Sequence, residues 1–155
     1  MKVSEVMTGA AISDRPDDTL AQAAAKMWGQ QTGSLLVMEG GQLLGIVTER
    51  DVLRAVAEGR SVEETRVSEM MTKDVVTVHP SASLREAATI MTDRWIRHLP
   101  VVERGTVVGI VSQRDLAGVL GSALNEPEAL TQLVEASELA RERRLRRIED
   151  RRHWD

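Results

Sequence analysis

A chain of 155 residues with 42% hydrophobic content is long enough for one compact domain, or for two small units sharing a core. It contains no cysteine, which excludes disulfides, zinc–thiolate centres and cysteine nucleophiles, and three Trp without Phe or Tyr leave almost no aromatic platform for stacking bases. A net charge of -4 argues against nucleic acid as a partner, and with no leader-like segment and no long apolar run a cytoplasmic protein without membrane contact is expected.

The chain opens on VSEVMT at 3–8, which returns as VSEMMT at 67–72. Sliding 3–56 onto 67–120, without a gap, leaves roughly a third of the positions identical, the mark of a tandem duplication. A short run at 10–13 predicts a strand. Leu20, Ala23, Ala24 and Met27 recur at i, i+3, i+4 and i+7 and predict a helix, with Pro16 upstream and Thr19/Gln22 as a capping box. Apolar runs at 35–38 and 43–47 around Gly40-Gly41 predict a hairpin, and 51–57 a closing helix. The polar stretch 57–66 joins the units. The second unit repeats the pattern: a strand at 74–78, Pro80, a helix carrying Leu84, Ala87, Ala88 and Met91 behind Ser83/Glu86, a hairpin at 99–102 and 107–111 around Arg104-Gly105, and a helix at 115–120. Each unit reads β-α-β-β-α, an α+β class, and two such units, 1–61 and 67–121, are expected to pack about a pseudo-twofold axis. Met7, Met27, Met70, Met71 and Met91 read as core filling.

From 125 onward the character changes. A charged tail over 125–155 predicts a C-terminal helix from about 127 to 147, with Glu126-Pro127-Glu128 at its start and seven arginines between Arg141 and Arg152. Acids interleave with these arginines at i, i+4, so the tail reads either as a self-paired solvated helix or as a surface for dimerisation or a protein partner.

GIVTERD at 45–51 and GIVSQRD at 109–115 carry the chemistry. Each sets a Gly, two β-branched residues, a hydroxyl and an Asp where a strand runs into a helix. The hydroxyl-x-x-Asp spacing is itself a capping box and needs no ligand. The same junction also exposes helix N-terminal amides, suited to anions, beside a carboxylate suited to a ribose diol. Both readings stand on the motif alone.

With these repeats the chain resembles a tandem pair of cystathionine β-synthase (CBS) domains, a Bateman module, over about 3–121. The second repeat resembles the family through VVTVHP, SLREAATIM, IRHLPVV and GIVSQRD; the first departs at Leu36, where the family usually has Pro as at Pro100, and at Gly33-Ser34, where the second has Arg97-His98. The resemblance implies a regulatory module with AMP, ADP, ATP or another adenosyl compound as ligand and no required cofactor. It implies ribose contacts from Asp51 and Asp115, and ribose or phosphate contacts from Thr48 and Ser112. Arg97, His98, Arg50 and Arg114 would meet phosphates, and backbone near Ile12, Ser13, Val76 and Thr77 would frame the base. Unequal sites follow from Gly33-Ser34. A flat homodimer is implied as well.

Three functions remain: a nucleotide-sensing module signalling through protein interaction, a scaffold with a vestigial groove, and nucleic-acid binding through the arginines, which the interleaved acids oppose. An enzyme is not expected. His79, His98 and His153 lack metal-ligand spacing, and Asp17-Asp18 and Glu63-Glu64 are adjacent pairs pointing apart.

Overall fold

The computed structural model describes residues 1–9 and 12–123; the expected tail helix falls outside them. The chain runs through a 3-10 turn Val3–Glu5, β1 Ser13–Asp14, α1 Leu20–Gln30, β2 Ser34–Glu39, β3 Gln42–Thr48 and α2 Glu49–Ala57. It continues through α3 Val67–Met70, α4 Leu84–Arg94, β4 His98–Glu103, β5 Thr106–Ser112 and α5 Gln113–Ala123. Each strand pair is an antiparallel hairpin, β2 with β3 and β4 with β5, and β1 adds in parallel to β2. Capping fixes where α1 starts: Thr19 Oγ1 accepts from the Gln22 amide at 3.2 Å while Gln22 Oε1 accepts from the Thr19 amide at 2.8 Å. Of the matching box on α4, the bond from the Glu86 amide to Ser83 Oγ forms at 3.1 Å.

The strand expected at 74–78 reduces to one parallel bridge, Val78 to Val101. In the first repeat the Leu36 amide donates to the Ile12 carbonyl at 3.1 Å. Pro100 stands at the matching place and has no N–H, so one rung of the ladder is lost.

Two apolar cores form, and each borrows from the other repeat. Val67 and Met70 are buried among Leu20, Ala23, Met27, Leu35, Val37, Val47 and Ala55. Val3 is buried among Val78, Ala87, Met91, Leu99, Val101 and Val111. The repeats therefore exchange their first turns. The supporting hydrogen bonds come in pairs offset by the same 64 positions (67 against 3): Thr8 N to Ile110 O with Thr72 N to Ile46 O, both 2.9 Å, and Ser4 N to Pro80 O with Ser68 N to Pro16 O, 2.9 and 3.0 Å. Contacts that recur with the two halves interchanged are the signature of a twofold relation. The joining stretch is part of this arrangement, since the Val62 and Thr65 carbonyls accept from the first amides of α1.

The glycine that opens each GIV motif serves the exchange. A Cβ on Gly45 would lie 2.6 Å from Met71 Sδ and 2.9 Å from the Thr72 carbonyl, and one on Gly109 2.6 Å from the Thr8 carbonyl. Only glycine lets the borrowed segment approach so closely.

Candidate functional site

Between the repeats lies a cleft of about 690 Å³. The first repeat gives it an apolar wall from Ile12, Ala24, Met27 and Val52, and the second gives Arg97, His98, Ser112, Arg114 and Asp115. Six of the residues expected to bind ligand, Ile12, Arg97, His98, Ser112, Arg114 and Asp115, thus meet in one place. Thr48, Arg50, Asp51, Ser13, Val76 and Thr77 do not line this cleft. Val76 packs against the second core instead, and Ser13 belongs to β1.

The motif's two readings turn out to be compatible. Asp115 Oδ2 accepts from both the amide and the hydroxyl of Ser112 at 2.7 Å, and the Asp115 amide approaches Ser112 Oγ at 3.4 Å. This is a capping interaction, and it engages one carboxylate oxygen. Asp115 Oδ1 has no hydrogen-bond partner among the described residues. A carboxylate offers about four lone-pair sites, so it can cap a helix and still accept from a ligand hydroxyl.

The first repeat repeats the cap and spends the second oxygen. Thr48 N and Oγ1 donate to Asp51 Oδ2 at 2.9 Å, and Arg54 Nη2 reaches Asp51 Oδ1 at 3.3 Å and the Met70 carbonyl at 2.9 Å. Gly118 stands at the position matching Arg54 and brings no such side chain to Asp115. The inequality of the two sites lies in this pair as well as in Gly33-Ser34.

Some of the amides expected to face an anion are engaged within the protein. The amides of Thr48 and Ser112 go to the capping carboxylates, that of Glu49 to the Gly33 carbonyl at 3.1 Å, and that of Gln113 to the Arg97 carbonyl at 2.9 Å. Side chains and the preceding strand ends satisfy these donors as the fold forms.

Glu49, which the sequence reading passed over, stands in the cleft and pairs with Arg97 Nη2 at 2.6 Å. Its signal was available: it is the acidic spacer of GIVTERD, where GIVSQRD has Gln113. Burial holds the His98 imidazole below its ordinary pKa, and the neighbouring Arg97 guanidinium adds to this while Glu49 and Asp115 oppose it. The net effect favours the neutral imidazole. Trp28, 81% exposed, stands at the rim. Ser34 lines the cleft with its Oγ buried and without a hydrogen-bond partner among the described residues.

Among the described residues no group of three or more His, Asp or Glu is placed to hold a metal, and no helix is long and apolar enough to cross a membrane.

The family model described as CBS domain matches the sequence twice, over 3–58 and 67–122. The chain is 39% identical over 116 residues to the CBS domain-containing protein YhcV of Bacillus subtilis (strain 168), covering 74% of this chain and 82% of that one. Its fold is similar to the crystal structure of the CBS-domain containing protein ATU1752 from Agrobacterium tumefaciens, with a TM-score of 0.74 and 31% identity over 77% of this chain and 98% of that one. It is similar too to the CBS domain pair of protein MJ0100, solved in complex with 5-methylthioadenosine and S-adenosyl-L-methionine, with a TM-score of 0.74 and 26% identity over 79% and 98% of the two chains.

Proposed function

The chain belongs to the CBS domain family as a tandem pair, and from that premise we propose a non-catalytic regulatory module that binds an adenine nucleotide or related adenosyl ligand in the cleft between its repeats. AMP, ADP, ATP and adenosyl thioethers are the candidate ligands, and binding is read out through contact with another protein, to which the segment after 123 contributes. The module acts in the cytoplasm, as a homodimer, and needs no cofactor for chemistry of its own.

One observation carries this reading: Asp115 keeps a carboxylate oxygen without a partner among the described residues, inside a cleft walled on its other side by Ile12, Ala24 and Met27. A ribose offers two hydroxyl donors to such an acceptor, and an adenine ring offers a flat apolar face to such a wall. The occupied ligand sites of MJ0100 support the same class of ligand.

Calorimetric titration with AMP, ADP, ATP and S-adenosylmethionine tests it. A ligand at 100 times its dissociation constant stabilises the native state by about 2.7 kcal/mol, which at this size raises the melting temperature by about 5–10 °C. Asp115→Ala is expected to weaken binding by about 1.5–3 kcal/mol, because the lost acceptor is charged. A purely capping role would instead lower the melting temperature of the free protein and leave the ligand-induced shift intact. Failure of all four ligands to bind the wild type would favour the scaffold reading.

A further inference from the structure

We infer that the cleft selects adenosyl ligands of low net charge over polyphosphates, and that Glu49 is the residue that sets this preference. The inference rests on the adenosyl-binding reading above and narrows it.

Among the described residues that line the cleft, the charges balance. Glu49 and Asp115 face Arg97 and Arg114, and His98 is held toward its neutral form. Arg97, one of the two cleft arginines expected to meet a phosphate, is committed to Glu49 at 2.6 Å. The room for that pairing is built into the first repeat. Gly33 replaces the basic side chain found at Arg97, and a Cβ there would already stand 3.4 Å from the Glu49 carboxyl carbon and Oε2. Glycine thus leaves the Glu49 carboxylate space across from Arg97, and Gln113, its counterpart, carries no charge to match it.

Part of the backbone at the helix starts is already committed and is not open to a polyphosphate. At the starts of α2 and α5, the amides of Glu49 and Gln113 are bonded to the carbonyls of Gly33 and Arg97, and those of Thr48 and Ser112 to carboxylates. A triphosphate reaching Arg97 would have to break the ion pair and then sit against the freed Glu49 carboxylate. Like charges in a partly desolvated cleft repel more strongly than in water. A nucleoside, a nucleoside thioether or a monophosphate avoids most of that repulsion while keeping the ribose and base contacts.

The test measures affinities of adenosine, 5′-methylthioadenosine, AMP and ATP for the full chain by calorimetry, in wild type, Glu49→Gln and Arg97→Gln. Wild type is expected to bind adenosine or AMP more tightly than ATP. Glu49→Gln removes the charge with little change of shape and should shift the adenosine-to-ATP affinity ratio toward ATP by about tenfold, which is 1.4 kcal/mol. Arg97→Gln leaves Glu49 uncompensated and should shift the ratio the other way. Glu49 is half exposed, so both variants should retain the wild-type melting temperature to within a few degrees, which differential scanning calorimetry checks. Wild type favouring ATP, or a ratio that Glu49→Gln leaves within twofold of wild type, would overturn the inference while leaving the adenosyl site in place. Absence of binding by all four compounds would instead remove the site itself, and the inference with it.

Discussion

Asp14 and Lys26 stand where the second repeat has Val78 and Ile90, so the protein carries the ionic and the apolar solution to one packing problem. The Asp14 side chain is fully buried and ion-paired with Lys26, which also donates to the Ser13 carbonyl at 3.0 Å. Asp14 Oδ2 has no hydrogen-bond partner among the described residues. A buried pair gains Coulomb energy and loses hydration in similar measure, whereas an unpaired buried carboxylate only loses. Lys26→Ile alone is therefore expected to destabilise by about 3 kcal/mol, while Asp14→Val with Lys26→Ile is expected to match or exceed the wild type. Urea denaturation of both variants reads the difference. A double variant as unstable as the single one would show that the ionic pair contributes more than its apolar counterpart. The same comparison between repeats explains the cleft at this scale. Arg54 against Gly118 and Glu49 against Gln113 are single-residue differences, and they decide which carboxylate oxygen is open and which cation is committed.

At the scale of elements, β3 and β5 each accept a segment from the opposite repeat, and the approach is too close for a side chain at Gly45 or Gly109. Gly109→Ala places a methyl 2.6 Å from the Thr8 carbonyl, a backbone atom that yields only if the 3–8 segment moves. Such overpacking typically costs about 1–3 kcal/mol, and the expected result is a lower melting temperature together with faster hydrogen exchange at the Thr8 and Ile110 amides. A change confined to the cleft, with those amides protected as before, would argue that the glycine serves the ligand instead. The sequence makes both helices and both hairpins legible because their signals are local: apolar period, capping residues and the paired turn residues Gly40-Gly41 and Arg104-Gly105, all at positive φ. It does not show where Val3, Val67 and Met70 are buried, since an apolar residue records a need for cover and not its source. The missing rung at Pro100 was visible as a residue, yet its effect depends on the segment around Val78 lying beside it, which is a tertiary fact. In the cleft, Ser112, Asp115, Arg97 and His98 were legible from the repeat and its family resemblance. Glu49 was not, because an acidic spacer at a helix start has an ordinary explanation until Arg97 is seen beside it.

For the whole molecule, the exchange of first turns ties the two cores together, and the closing helices carry exposed apolar surface. Leu53 and Val56 on α2 are 68% and 60% exposed, and Leu120 on α5, the counterpart of Val56, is 46% exposed. Leu53 and Val56 are spaced i, i+3 and so share a face of α2. Paired apolar helices at equivalent places suit a self-complementary contact, in which the same surface of a second copy covers both. A homodimer is thus expected at micromolar concentration, with a light-scattering mass of twice 17.1 kDa. Val56→Asp combined with Leu120→Asp would bury a carboxylate in each half of that contact and is expected to give the single-chain mass with the circular dichroism spectrum unchanged. Because neither position lines the cleft, the variant should also separate assembly from ligand binding. Wild-type protein that stays at 17.1 kDa across the micromolar range would reject the dimer and leave these residues as a surface for a different chain.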